Sequence, residues 1–164
     1  MAGKMAAASV SGPAVETGCS CGASRLEIIA DPSLRFICHC TICQRFNNAP
    51  EADMLVFRRD QALLDDAATV AFRRFKKRLA VDRGACRECG DPVVEYLSLP
   101  LTSGLAFVPT ALLDGRMPLP TPSMRVFYES RVADAHDELP RHGGFLASQL
   151  AILPSLLRVL RGRV

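Results

Sequence analysis

Between residue 18 and about residue 130, apolar positions fall into short runs separated by Pro, Gly and Asp. The runs 25–29, 34–37, 54–57, 69–75, 78–82, 93–97, 105–108 and 124–128 are each rich in Val, Ile, Leu or Phe. Such a series predicts a mainly β domain of stacked or partly closed sheets. The turn signal Asp31-Pro32-Ser33 between the first two runs predicts a hairpin.

The tail follows a different period. Leu146, Leu150, Leu153, Leu157 and Leu160 recur at helical spacing, which predicts an amphipathic C-terminal helix over residues 145–164. Gly143-Gly144 marks its start, Pro154 interrupts it, and Arg158, Arg161 and Arg163 sit where cations suit a helix end. The stretch is too short and too charged to span a bilayer. A helix packed on the domain or across a homodimer is expected, with contact to a membrane surface as the alternative. Residues 1–16 are rich in Ala, Ser and Gly without periodicity, and their apolar run at 5–10 is too weak for a signal peptide. The expected organisation is a disordered lead-in over 1–17, a domain over 18–142 and a helical segment over 143–164.

With 164 residues, 49% of them apolar, and a net charge of +3, the chain reads as one globular domain with no general pull toward nucleic acid. Trp is absent, which removes an obvious stacking platform for bases. The one basic block, residues 73–78, is expected to be a charged hairpin edge that discourages strand pairing.

Seven cysteines change the picture. They occur only as Cys19-Ser20-Cys21, Cys38-His39-Cys40-Thr41-Ile42-Cys43 and Cys86-Arg87-Glu88-Cys89. An odd count and the absence of a secretory leader argue against a disulfide framework and for a reducing, cytoplasmic setting. Closed zinc sites take four thiolate or imidazole ligands, and open ones take three. Seven cysteines therefore suggest two zinc ions per chain, one in a structural site and one with a free coordination position. A nucleobase deaminase is excluded by order, because the only His-x-Glu, at His136, follows the cysteine pairs.

Read with their neighbours, the three clusters resemble those of the glutathione-dependent formaldehyde-activating enzyme family, which includes centromere protein V-like members. Asn48-Ala49-Pro50, Leu113-Asp114-Gly115, Val126-Phe127 and Ser130-Arg131 resemble further family segments in the same order. The resemblance implies a β-tent (Mss4-like) fold with two zinc sites. Cys19, Cys21, Cys86 and Cys89 would hold the structural zinc, and Cys38, Cys40 and Cys43 the open one. It further implies a carbon–sulfur lyase type of activity on the adduct of an aldehyde with a thiol, namely formaldehyde and glutathione giving S-hydroxymethylglutathione. A non-catalytic zinc-stabilised binding module of the centromere protein V-like type is the alternative.

Around the open site, Gln44 and Arg45 are candidate substrate-binding residues, and Arg would suit a glutathione carboxylate. Arg83 is the next nearest cation, although most arginines are simply solvated. His39, between two ligand positions on an extended segment, would point away from them and serve a supporting role, with acid–base work or direct ligation as the alternatives. His136 and His142 are expected at the surface. The sequence departs from the family at Gln44, where Arg is usual, at Asn48 for Gly, at Ala85 for Phe and at Arg125 for His. These departures bear on the substrate pocket more than on the cysteine scaffold.

Overall fold

The computed structural model describes residues 14–76, 81–98, 100, 102 and 104–162. Eleven strands and two α-helices occur among them. The strands are β1 (Val15–Gly18), β2 (Arg25–Ile28), β3 (Leu34–Cys38), β4 (Ala52–Arg58), β5 (Ala62–Leu64), β6 (Val70–Arg73), β7 (Val81–Cys86), β8 (Pro92–Leu97), β9 (Leu105–Pro109), β10 (Arg125–Val126) and β11 (Arg141–His142). The helices are α1 (Thr41–Asn47) and α2 (Phe145–Leu160). The chain is therefore mainly β with a C-terminal helix, as its pattern predicts.

The strands form a three-stranded sheet ordered β1-β2-β5 and an eight-stranded sheet ordered β11-β10-β3-β4-β9-β8-β7-β6. Alternation explains the small sheet: Leu26 and Ile28 of β2 face inward, while Arg25 and Glu27 face solvent. The central strands of the large sheet are covered on both faces and read as continuous apolar runs. Leu55 and Phe57 of β4 join Ala106 and Val108 of β9 and the small sheet in one core. Met54, Val56 and Phe107 point the other way, into a second core closed by Ile152, Leu156 and Val159 of α2. Phe57 is fully buried, so its truncation to Ala would cost about 3–5 kcal/mol.

Several sequence expectations are corrected. The runs at 25–29 and 34–37 do not form a hairpin; β2 pairs with β1 and β5, whereas β3 pairs with β4 and β10. The turn at Asp31-Pro32-Ser33 instead passes the chain from one sheet to the other. The lead-in expected through residue 17 gives way to strand at Val15, because β1 pairs along β2; residues 1–13 lie outside the described residues. The run 78–82 belongs to a strand from Val81 to Cys86, and residues 78–80 lie outside the described residues. Only Arg125 and Val126 of the run 124–128 are strand, because Phe127 turns into the left-handed region at φ 54°. The block at 73–78 begins at the edge strand β6, where Arg74 forms a bidentate pair with Asp82. Lys77 and Arg78 lie outside the described residues.

The helix α2 packs by an unexpected face. Ser148, Ile152, Leu156 and Val159 are buried, whereas Leu146, Leu150, Leu153 and Leu157 are exposed. Ser148 fixes the docking: its Oγ accepts from the Phe127 amide at 2.7 Å and donates to the His142 carbonyl at 3.1 Å. The helix continues through Pro154, and Glu129 accepts from the Gly144 amide at its N-terminus at 2.6 Å. No helix among the described residues is long and apolar enough to cross a membrane.

Candidate metal centres and the cavity between them

Two turns build the first centre. Cys19 follows β1 and Cys21 lies in the turn to β2; Cys86 ends β7 and Cys89 lies in the turn to β8. The two turns share one design. The Gly22 amide donates to the Cys19 carbonyl at 3.1 Å, and the Gly90 amide donates to the Cys86 carbonyl at 3.0 Å. Gly22 and Gly90 take φ of 78° and 80°, a conformation that L side chains resist. The ligand atoms of Cys19, Cys21, Cys86 and Cys89 all lie within 4.8 Å of one another. The Ser24 amide donates to the Cys19 sulfur at 3.2 Å, and Asp91 accepts from the Ser20 amide at 2.9 Å, which braces one turn against the other. A hydrogen bond with the Ser24 side chain, then one from the Cys89 amide, lower the Cys86 thiol to about 6.

A strand end and a short helix build the second centre. Cys38 closes β3, Cys40 is the N-cap of α1, and Cys43 lies in its first turn. The Cys40 sulfur accepts from the Cys43 amide at 3.4 Å, as an N-cap side chain does. The α1 helix ends at Asn48, whose φ of 47° is a conformation that Asn tolerates. The three sulfur atoms lie within 4.8 Å of one another. Contacts from Cys38 and then Cys43 hold the Cys40 thiol well below its ordinary value, whereas contacts from Cys38 and then Cys40 push Cys43 up. Both centres are soft, thiolate-rich donor sets that can hold a metal ion such as zinc.

Beside the second centre lies an ion pair of which the sequence singled out only Arg83. Arg83 on β7 and Glu95 on β8 are cross-strand partners, with Arg83 Nε 2.9 Å from Glu95 Oε2. Glu95 is buried at 4% side-chain exposure, and Arg83 is largely covered at 11%. Arg83 Nη2 also donates to the Cys43 sulfur at 3.8 Å. Burial pushes Glu95 up to about 7 despite the adjacent guanidinium. The expectation of Arg83 as a solvated cation is thus wrong: it links Glu95 to the three-cysteine centre.

His39 faces away from the sulfurs, as an extended segment requires. Arg125 Nη1 lies 3.0 Å from its Nε2. A guanidinium only donates, so Nε2 is the acceptor and the ring proton sits on Nδ1, which is buried without a partner. Desolvation lowers the histidine pKa and keeps the ring neutral. Arg125 is fixed in turn by Glu51 at 2.8 Å and by Asp137 at 2.6 Å. Tyr128 meets the His39 ring edge-on at 5.1 Å.

A cavity of about 460 Å³ opens between α1 and the β6–β7 pair. Arg45, Arg73, Arg83 and Arg87 line it together with Phe46 and Phe75. A larger cavity of about 560 Å³ elsewhere is lined by Glu51, Asp53, Asp91 and Asp114. Its arginine, Arg35, is held bidentate by Asp53, so the smaller cavity is the one suited to an anion. The two predicted substrate residues separate here. Arg45 faces the arginine-lined cavity, whereas Gln44 spends its Nε2 on the carbonyls of His39 at 2.6 Å and Ser130 at 2.7 Å. Gln44 braces the cysteine loop. His136 is exposed and His142 lies in β11; neither belongs to a cysteine group.

A solved structure of a protein from Rhodobacter sphaeroides is similar at 21% identity over 63% of this chain and 91% of that one, with a TM-score of 0.47. No curated protein matches the chain. The family model for the glutathione-dependent formaldehyde-activating enzyme matches residues 14–130, a span that contains all seven cysteines, Arg83 and Glu95. The chain belongs to the glutathione-dependent formaldehyde-activating enzyme family.

Proposed function

We propose that this protein is a zinc enzyme of the carbon–sulfur lyase type, joining an aldehyde to a thiol such as glutathione and catalysing the reverse cleavage. One observation carries the reading: a three-cysteine centre, one ligand short of a closed site, adjoins an arginine-lined cavity through Arg83. Cys19, Cys21, Cys86 and Cys89 would hold one zinc as a clasp, and Cys38, Cys40 and Cys43 would hold the other. When bound there, the second zinc supplies Lewis acidity at a position open to a substrate sulfur or oxygen.

The chain's own residues supply the remaining chemistry. Arg45, Arg73 and Arg87 offer guanidinium groups to the carboxylates of a glutathione-sized thiol. Phe46 and Phe75 give the cavity apolar wall area. In the addition, the thiolate sulfur attacks the aldehyde carbon, a carbon–sulfur bond forms, and the carbonyl π pair moves to oxygen. The oxygen then takes up the proton that the thiol gave away. Arg83, whose guanidinium pairs with Glu95 and lies 3.8 Å from the Cys43 sulfur, would stabilise that negative charge as it passes from sulfur to oxygen. A substitution that keeps charge but loses the fork, such as Arg83→Lys, should lower kcat more than it raises KM.

The test is exchange spectroscopy by NMR on formaldehyde and glutathione at equilibrium, with protein carrying two zinc ions per chain. Acceleration that disappears in Cys43→Ser, with one zinc retained and the fold intact, is the expected result. Fully loaded protein that accelerates no thiol–aldehyde exchange would overturn the reading and leave a zinc-stabilised binding module. Reducing, cytoplasmic conditions suit free thiols, so the proposal places the protein there.

A further inference from the structure

We propose that the exposed leucine face of α2 is the contact surface for a second copy of this chain, with the two helices packed antiparallel. The proposal does not depend on the enzymatic reading. Leu146, Leu150, Leu153 and Leu157 are exposed at 69%, 64%, 47% and 37%, while the opposite face of the helix is already buried on its own domain. Their spacing of four, three and four residues lines them along a single face of the helix, as a helix-pairing seam requires. The seam lies beyond the residues 14–130 shared with the family, so the metal centres do not require it.

A second copy fits the seam in shape and in charge. Isologous contact about a two-fold axis demands a self-complementary face. In an antiparallel pair centred between Leu150 and Leu153, Leu146 meets Leu157 of the partner subunit and Leu150 meets Leu153 of the partner subunit. The helix is acidic at one end and basic at the other. Glu129 caps the N-terminal end, Arg158 and Arg161 occupy the C-terminal end, and no carboxylate lies between. Antiparallel packing therefore brings the arginines of one copy toward Glu129 of the partner subunit, and it opposes the two helix dipoles. Parallel packing would place like charges together. From Leu146 to Leu157 the seam is about 17 Å long on a 16-residue helix.

Sedimentation velocity of the full chain under reducing conditions tests the proposal. The expected result is a dimer that dissociates on dilution. The double change Leu150→Gln and Leu153→Gln should weaken it by about tenfold or more, with far-ultraviolet dichroism and zinc content unchanged. Arg158→Glu with Arg161→Glu should weaken it as well, and adding Glu129→Lys should restore it; this exchange keeps the test decisive should the leucine variant misfold. A full chain that stays monomeric at every concentration would overturn the proposal. So would recruitment of the monomer to phosphatidylserine vesicles, or a dimer indifferent to both sets of changes.

Discussion

Arg83 and Glu95 hold opposite charges in a place where neither can reach water easily, and the consequences are measurable at each residue. Arg83→Met strands a buried carboxylate and should cost about 3 kcal/mol in denaturant unfolding; adding Glu95→Gln should recover much of that loss. Glu95 also imposes a pH dependence. Its pKa rises to about 7 on folding because burial disfavours the carboxylate, so the folded state binds the proton more tightly than the unfolded one. Stability should then fall as pH rises from about 4.5 to about 7, by up to about 1.4 kcal/mol per pH unit, relative to the flatter profile of Glu95→Gln. Paired thermal melts of the two proteins across that window check the sign. At this scale the cysteines were legible because spacing alone marks a soft-metal site. Glu95 was not: within the run Val93-Val94-Glu95-Tyr96 it reads as the polar, outward residue of an alternating strand, whereas β8 is buried on both faces. The hold of Gln44 on two backbone carbonyls was equally hidden, since proximity to a cysteine in sequence does not say which group its amide meets.

Among the elements, the short helix α1 escaped sequence detection although Cys40 caps it and Cys43 lies in its first turn. Seven residues are too few for a 3.6-residue period to declare itself, and the available signal was only a capping side chain at Cys40. The small strands β1, β5 and β11 escaped as well, because two to four residues give little alternation to read. The α2 helix shows a subtler failure. The longest regular apolar stripe in the tail turned out to be its exposed face, and the docking face is anchored by a serine. Ser148→Ala should leave the Phe127 amide and the His142 carbonyl without partners, at a cost of about 1–3 kcal/mol and with faster hydrogen exchange along α2. In the turns, Gly90→Ala meets no atom within 4 Å, so its cost should be the strain of positive φ alone, about 1–2 kcal/mol in chemical denaturation.

For the whole molecule, the two candidate metal centres have different structural reach. The four-cysteine group joins the β1–β2 turn of the small sheet to the β7–β8 turn of the large one, so it spans the layers that enclose one core. The three-cysteine group lies within a single stretch of chain. Cys86→Ser should therefore lower the thermal midpoint by many degrees and mimic a strong chelator, whereas Cys43→Ser should leave it within a few degrees of the parent. Calorimetry of the two variants beside the chelated protein checks the contrast. The division of the chain into layers was visible in its short apolar runs, but the sheet order was not. Pairing β3 with β10 joins residues almost ninety positions apart, and no local pattern encodes that choice.

That parallel pairing bears on how the protein is made. Val126 lies beside Cys38, and Arg125 on the same short strand grips His39. On a ribosome the cysteine loop emerges early, yet the strand that latches it arrives more than eighty residues later. Until then the loop is an open thiol hook beside an unpaired edge. A nascent chain would bring the cysteines at 86 and 89 to those at 19 and 21 before its three-cysteine loop acquires a fixed shape.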